Sequence, residues 1–277
     1  MLYALIGVPV AALLVFAYLG WKIEGPPSNT PGKVRAAEGE RVLLCLGDSI
    51  TLGNLGARWV DGLRARYAPE GRRVANAGIN GQQVWNIAQR LDRALACEPD
   101  MLVLLIGSND VMAADRPDRA KAYVKQNKLP RVPDLEWSIA QLEALVPRVV
   151  SAVPRVALCT IPPLGDDDQQ PVAALVARYN QHVRSLAAEH GCVLLDVHEA
   201  IVPLLSPAKT PYVGDLPTVG RYIVKVAFHR YLLGRSWDTI AASMGYGATA
   251  EGIHLSDAAA AKVEALVVGF VDDAEAR

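Results

Sequence analysis

Neither sign of charge is in excess: 28 lysines and arginines stand against 29 aspartates and glutamates, a formal net charge of −1. Nucleic-acid binding needs a basic face that neutralises phosphates, so no nucleic-acid partner is expected. Histidine is scarce, five in all and scattered, and no Cys/His pair has zinc-site spacing, so neither a metal nor an organic cofactor is expected. Cysteine is scarce as well. Cys45, Cys97, Cys159 and Cys192 each stand in or beside an apolar run, which suits buried thiols acting as small hydrophobes better than a disulfide framework. No internal repeat is present. What the 277 residues do hold is apolar character, 51% against 21% charged, enough for a large folded core.

Charge is wholly missing from Leu2 to Trp21. A stretch of about 20 such residues matches the hydrocarbon thickness of a bilayer. Tyr3, Tyr18 and Trp21 lie near its ends, where amphipathic rings favour the interface. A cleaved signal sequence is the alternative, but it lacks the Lys/Arg-rich start and a good cleavage site. Residues 1–22 are therefore expected to be a transmembrane anchor (or signal sequence), and 23–40, rich in Pro and Gly, a linker to the body at 41–277. Lys22, Lys33 and Arg35 follow the span, too few charges to set which side of the membrane the body occupies.

Beyond the linker, apolar runs alternate with helical spacing. Strands are expected at Val42–Leu46, Arg72–Asn76, Met101–Ile106, Val156–Ile161 and Val193–Val197. The helices expected between and after them are Leu55–Tyr67, Val84–Ala96, Asp134–Ala152, Val172–His190 and Ser256–Val271. Strands that alternate with crossover helices make a parallel sheet covered on both faces. Two insertions, 111–133 and 199–250, are far longer than ordinary connections. Both follow strand ends and so rim one face. The second mixes Tyr222, Phe228, Tyr231 and Leu232 with Arg221, Lys225, Arg230 and Arg235. That composition suits either an interfacial lid against lipid or additional core packing.

The chemistry-bearing residues sit at the expected strand ends. The run Leu43-Leu44-Cys45-Leu46 stops in Gly47-Asp48-Ser49, placing a hydroxyl where an open α/β sheet binds its ligands and where the next helix offers unpaired N–H groups. Asn76-Ala77-Gly78-Ile79-Asn80-Gly81 follows the second strand, and Gly78 there lets the backbone approach a ligand closely. Gly107-Ser108-Asn109-Asp110 follows the third, and the Asn109 amide can donate to an oxyanion. Near the end lies Glu251-Gly252-Ile253-His254-Leu255, where a carboxylate three positions before an imidazole can orient it as a base. His198, after the fifth strand, is the competing histidine.

In this order the blocks resemble the GDSL-type lipase/acylhydrolases, or SGNH hydrolases, over roughly Arg41 to Val268, the insertions excepted. Pro99-Asp100 and Ile161-Pro162-Pro163-Leu164-Gly165 are further points of likeness. The resemblance implies a flavodoxin-like three-layer α/β/α sandwich with a parallel five-stranded sheet. It implies Ser49 as nucleophile, His254 as general base, and the Ser49 N–H, Gly78 N–H and Asn109 amide as oxyanion hole. The family has Asp where Glu251 stands; Glu251 reaches the imidazole from a shifted position, or a backbone carbonyl serves instead. Asp48 reads as a turn-former, and Asp196 as a remote substitute acid.

The implied activity is ester hydrolysis through an acyl-enzyme, with lipid or lysophospholipid esters favoured by the anchor and the apolar insertion. Carbohydrate O-acetyl ester cleavage and acyl transfer are alternatives within the same chemistry. A catalytically idle, membrane-anchored binding module is the alternative of another class, and a serine-reactive probe separates it from an enzyme.

Overall fold

The computed structural model describes residues 2–34, 39–165, 171–206 and 216–275; for 2–12, 216–218 and 275 only the backbone is described. Part of the linker (35–38) and part of the second insertion (207–215) therefore lie outside the described residues.

Five strands form one parallel sheet in the order β2-β1-β3-β4-β5: β1 Arg41–Gly47, β2 Arg72–Gly78, β3 Met101–Leu105, β4 Arg155–Cys159 and β5 Val193–Leu195. β1 and β3 are buried almost end to end, which is why they read as unbroken apolar runs. The register pairs Gly47 with Gly78 and with Leu105, so β2, β1 and β3 end level, and the turns after them rim one crevice.

Helices cover both faces. Before the sheet comes α1 (Leu2–Glu24); after β1 come α2 (Ser49–Leu52) and α3 (Trp59–Tyr67). Between β2 and β3 lie α4 (Val84–Gln89) and α5 (Leu91–Leu95), and between β3 and β4 lie α6 (Ser108–Asp115), α7 (Pro117–Asn127) and α8 (Leu135–Ala152). The later helices are α9 (Pro171–Glu189), α10 (Val197–Ile201), α11 (Leu216–Tyr231), α12 (Trp237–Met244) and α13 (Asp257–Glu275). On one side Leu44, Leu46 and Leu104 pack against α4, α8 and α9 through Ile87, Leu145 and Tyr179. On the other, Leu43, Cys45 and Val103 pack against α3, α12 and α13 through Leu63, Ile240 and Val263. Alternate residues of each strand feed opposite layers, and full burial of a leucine contributes about 2 kcal/mol relative to exposure. The three-layer α/β/α sandwich is thus the architecture formed.

Several local expectations change. The helix expected over Val84–Ala96 breaks at Arg90, whose side chain turns inward to the carbonyls of Gly47 and Ala77. The helix expected over Asp134–Ala152 does form, capped by Asp134, whose carboxylate accepts from the Trp137 N–H at 2.8 Å, and it contains Pro147. The insertion 111–133 is mostly the helices α6 and α7, and the described part of 199–250 folds into α10, α11 and α12.

The linker does not hang free. The Asn29 amide donates to the Val74 carbonyl, the Asn76 N–H donates to the Asn29 carbonyl at 2.9 Å, and Val34 joins the core, so this segment covers the β2 edge. Upstream, α1 is a helix of 23 residues that passes through Pro9. Among the described residues no helix is long and apolar enough to cross a membrane, so the transmembrane anchor expected over 1–22 is seen only as a helix. Its last carbonyls are not left orphaned: Asn54 donates to the carbonyls of Ile23 and Gly25, and Asn80 to that of Ile23.

Candidate active site

Ser49 is the first residue of α2. Asp48 caps that helix by accepting the Ile50 N–H at 2.9 Å, which confirms it as a turn-former rather than the partner of a histidine. α2 packs tightly on the end of β2. A side chain on Gly78 would collide with the backbone of Leu52, so glycine is required there for this close approach.

His254 lies on the loop before α13. That loop is closed on itself: the Ala250 N–H donates to the His254 carbonyl at 2.7 Å, Thr249 bridges Leu255, and the Gly252 N–H donates to Thr249 Oγ1. It is also tied to its surroundings through Ala57 N–H to the Leu255 carbonyl and Gly165 N–H to the Gly252 carbonyl. The result is a 2.9 Å contact between His254 Nε2 and Ser49 Oγ across 205 positions of sequence. On the other side of the ring Nδ1 bonds Glu251 Oε1, which also accepts the His254 N–H at 3.3 Å. With Nδ1–H donating to the carboxylate, Nε2 carries the lone pair that faces the hydroxyl. The longer Glu251 side chain therefore reaches the position the resemblance reserves for Asp.

Ser49, His254 and Glu251 are all buried. Burial by itself disfavours the imidazolium, but the charge and hydrogen bond of Glu251, together with the charge of Asp48, outweigh it and raise the His254 pKa above the ordinary value. Burial also pushes Asp48 up to about 6, against the stabilising Ile50 N–H and the neighbouring histidine. Asp110, one residue past Asn109, is pushed up to about 7, again mainly by burial, although the Ser138 hydroxyl and Val84 N–H favour its charged form.

Ser49 and His254 open into a cavity of about 300 Å³ shared with Asn109, Gly81, Arg119 and Tyr123, and walled by Leu55, Met112 and Ile253. Gly78 is not among its lining residues. Its N–H donates to Asn76 Oδ1 at 2.9 Å, and Gly78 instead faces a larger cavity, about 440 Å³, on the far side of the α1 terminus. The oxyanion-hole expectation for Gly78 is therefore corrected: the glycine that reaches the serine cavity is Gly81, three residues on, in a left-handed conformation (φ +70°). The Asn76-Ala77-Gly78-Ile79-Asn80-Gly81 block holds two glycines, and only the course of the turn beyond β2 distinguishes the packing one from the one that lines the serine cavity.

Asn109 is in the cavity as expected. Its Nδ2 donates to the Gln82 carbonyl at 2.9 Å and to Asp48 Oδ2 at 3.2 Å, while its Oδ1 accepts the Tyr123 hydroxyl at 2.8 Å. Tyr123 comes from α7, inside the first insertion, and was not foreseen. The same helix pins the glycine turn: Asn127 donates to the Gly81 carbonyl, and Gln126 fills the space where a Gly81 side chain would stand. Only the position of this insertion after β3 hinted at such a part. Ile23 and Glu24 of α1, and Val219, Gly220 and Ile223 of α11, complete the walls.

The competing residues lie elsewhere. His198 is in α10, where its N–H donates to Thr160 Oγ1 and burial lowers its pKa. Asp196 caps α10 and is held by Arg184 and Thr160, so it is not a substitute acid. Cys45, Cys97 and Cys159 are buried and Cys192 partly so, all as free thiols. Among the described residues no group of three or more His, Cys, Asp or Glu side chains could hold a metal ion.

The model of the GDSL-like lipase/acylhydrolase family matches residues 45–262. An acetylxylan esterase from Geobacillus stearothermophilus superposes with a TM-score of 0.56 at 23% identity, covering 86% of this chain and 96% of that one. The lipase/acylhydrolase from Enterococcus faecalis does so with a TM-score of 0.54 at 20% identity, covering 83% and 95%. An α/β hydrolase from the metagenome of Lake Arreo, Spain, gives 0.55 at 21% identity, covering 84% and 95%. At these identities the likeness shows a shared fold. No curated protein matches the chain.

Proposed function

We propose, for a chain that belongs to the GDSL-like lipase/acylhydrolase family and is a carboxylic ester hydrolase, a two-step acyl transfer through Ser49. The observation that carries this reading is the 2.9 Å contact of Ser49 Oγ with His254 Nε2, backed by Glu251 on Nδ1. In the first step Ser49 Oγ attacks the ester carbonyl carbon while His254 Nε2 takes its proton. The carbonyl electrons move onto oxygen, and in this reading the N–H groups of Ser49 and Gly81 with the Asn109 amide hold that charge. The arriving oxyanion replaces the longer Asn109 bond, the one to Asp48. Collapse re-forms the carbonyl, breaks the bond to the alcohol oxygen and returns the proton to it from His254. Water, deprotonated by the same imidazole, then releases the acid and restores Ser49. Glu251 holds the ring and balances the imidazolium.

For the substrate, the walls of Leu55, Met112, Ile223 and Ile253 favour an apolar acyl chain, so a lipid-type ester such as a lysophospholipid is the first reading. A carbohydrate O-acetyl ester is the second, favoured by the names of the structural neighbours. Acyl transfer to an acceptor alcohol needs only that the alcohol replace water in the second step. We place the enzyme at a membrane through α1, where Leu13, Leu14, Phe16 and Trp21 are all more than 60% exposed.

A fluorophosphonate probe tests the chemistry. The intact chain should be labelled at Ser49, while Ser49→Ala should lose labelling and p-nitrophenyl acetate hydrolysis, by about 10⁶ in kcat, without losing its fold. Absence of label on the intact chain would identify the idle binding module instead. Relative turnover of p-nitrophenyl esters from acetate to decanoate separates the substrates: preference for eight carbons or more supports the lipid reading, and acetate alone the carbohydrate one.

A further inference from the structure

α11 is apolar on two sides. Inward, Val226 and Ala227 are buried, and Val219, Gly220 and Ile223 help wall the Ser49 cavity. Outward, Val224 and Phe228 stand four residues apart, Leu232 continues that spacing in the turn just past the helix with Leu233 beside it, and all four are between 39% and 50% exposed. A helix that faces only water carries its polar residues there. α11 contains no Asp or Glu, and its exposed apolar row is flanked by the exposed cations Arg221 and Lys225. Apolar side chains edged by cations, on a helix without acids, are the composition of a segment lying in the headgroup region of an anionic bilayer.

The neighbouring element has the same character. α1 packs on α11. Leu19 is the one buried side chain among residues 13–24, and from Leu13 to Tyr18 every side chain is exposed, so the helix leaves the body at that point. At its foot a cavity of about 500 Å³ is lined by Tyr18, Lys22, Arg58, Arg230, Tyr231 and Trp237, with Asp257 as its one carboxylate. Asp257 is occupied by the N–H groups of Trp237 and Asp238. Of the cations, Arg58 donates to Asn54 Oδ1 and lies 3.5 Å from Asp61, Arg230 donates to the Arg235 carbonyl and lies over Trp237, and Lys22 lies over the rings of Tyr18, Trp21 and Tyr231. Aromatic rings interleaved with cations match the level where ester and phosphate groups of lipids lie.

We propose that the outward face of α11 and the foot of α1 form a docking surface for an anionic lipid bilayer, with Lys22, Arg58 and Arg230 seating headgroup phosphates. Docked in this way, the helix whose inner side walls the Ser49 cavity has its outer side in the lipid, so esters held in the membrane are within reach of the serine. This last consequence rests on the acyl-transfer reading; the surface itself does not.

The test uses the full chain with vesicles of phosphatidylcholine alone or of phosphatidylcholine and phosphatidylglycerol at about 7:3. An environment-sensitive dye attached to Phe228→Cys or to Leu232→Cys should be quenched by brominated lipid in the mixed vesicles. The same dye on Glu143→Cys, in α8 on the opposite layer, should not. Hydrolysis of a vesicle-borne monoacylglycerol should be faster in the anionic vesicles. Lys22→Gln with Arg230→Gln should cost about thirtyfold of that rate, the size expected of two cations at an anionic leaflet. Soluble p-nitrophenyl acetate hydrolysis should be unchanged by all of these substitutions. An unquenched dye at 228 and 232 overturns the proposal, as does a dye shift that occurs without vesicles, which assigns the face to a second copy of the chain. Equal rates on the two vesicle types overturn the headgroup seat. Quenching in a chain whose Ser49 is inert to fluorophosphonate upholds the surface and removes only the acyl-transfer reading.

Discussion

The two sides of Ser49 are built in opposite ways. On the base side, His254 and Glu251 come from a single loop, three residues apart, closed by its own hydrogen bonds and buried at 5% and 1% exposure. On the proposed oxyanion side, the groups come from the start of α2, the turn after β2 and the start of α6, and the turn and the amide are both held by α7. One side is built from a single local loop; the other depends on an inserted helix that contributes no proposed reacting atom. A site of this kind keeps its acid–base pair whenever the loop folds, but loses its anion-binding geometry if the insertion shifts.

Three substitutions can break or sharpen this contrast. Asn109→Ala should have the largest effect of the three, a loss of about 10² to 10³ in kcat, because it removes the side-chain donor proposed to hold the oxyanion. KM for p-nitrophenyl acetate should change little, and a matching loss in KM instead would show that the amide binds the ground state. Glu251→Gln should cost about 10² in kcat, within the range of general-base effects. It should also move the acid limb of the kcat/KM profile. The raised His254 pKa places that limb above the ordinary imidazole value; without the Glu251 charge the imidazolium loses its main support, so the limb should shift to lower pH. An unmoved limb and wild-type rate would leave the imidazole oriented by the backbone alone.

The smallest effect is expected of Tyr123→Phe. Losing one neutral hydrogen bond, worth about 1 kcal/mol, should lower kcat about fivefold. KM, the acid limb and the thermal midpoint should stay in place. A shifted pH profile would instead couple α7 to the base side and dissolve the contrast.

Much of this protein was legible from residue order alone. Apolar runs ending in turn residues announced a buried parallel sheet, since strands covered on both faces cannot alternate in polarity. Ser49, Asn109 and His254 could be singled out because strand ends and helix starts impose turn chemistry that leaves a local trace. Glu251 could be paired with His254 because three positions on one loop constrain the distance between them. Other features had no such trace. Gly78 and Gly81 share one block, and which of them faces the serine depended on the path of the turn and on the contact of α2 with β2. Segment 23–40 resembled a tether because Pro and Gly favour irregular backbone, yet Asn29 and Val34 bind it to the sheet edge. Tyr123 and the ends of α1 and α11 became parts of the cavity only because the chain returns to it from distant positions. Periodicity and turn preference act over a few residues and were therefore readable one segment at a time; convergence on Ser49 depends on long-range packing, which no single segment encodes.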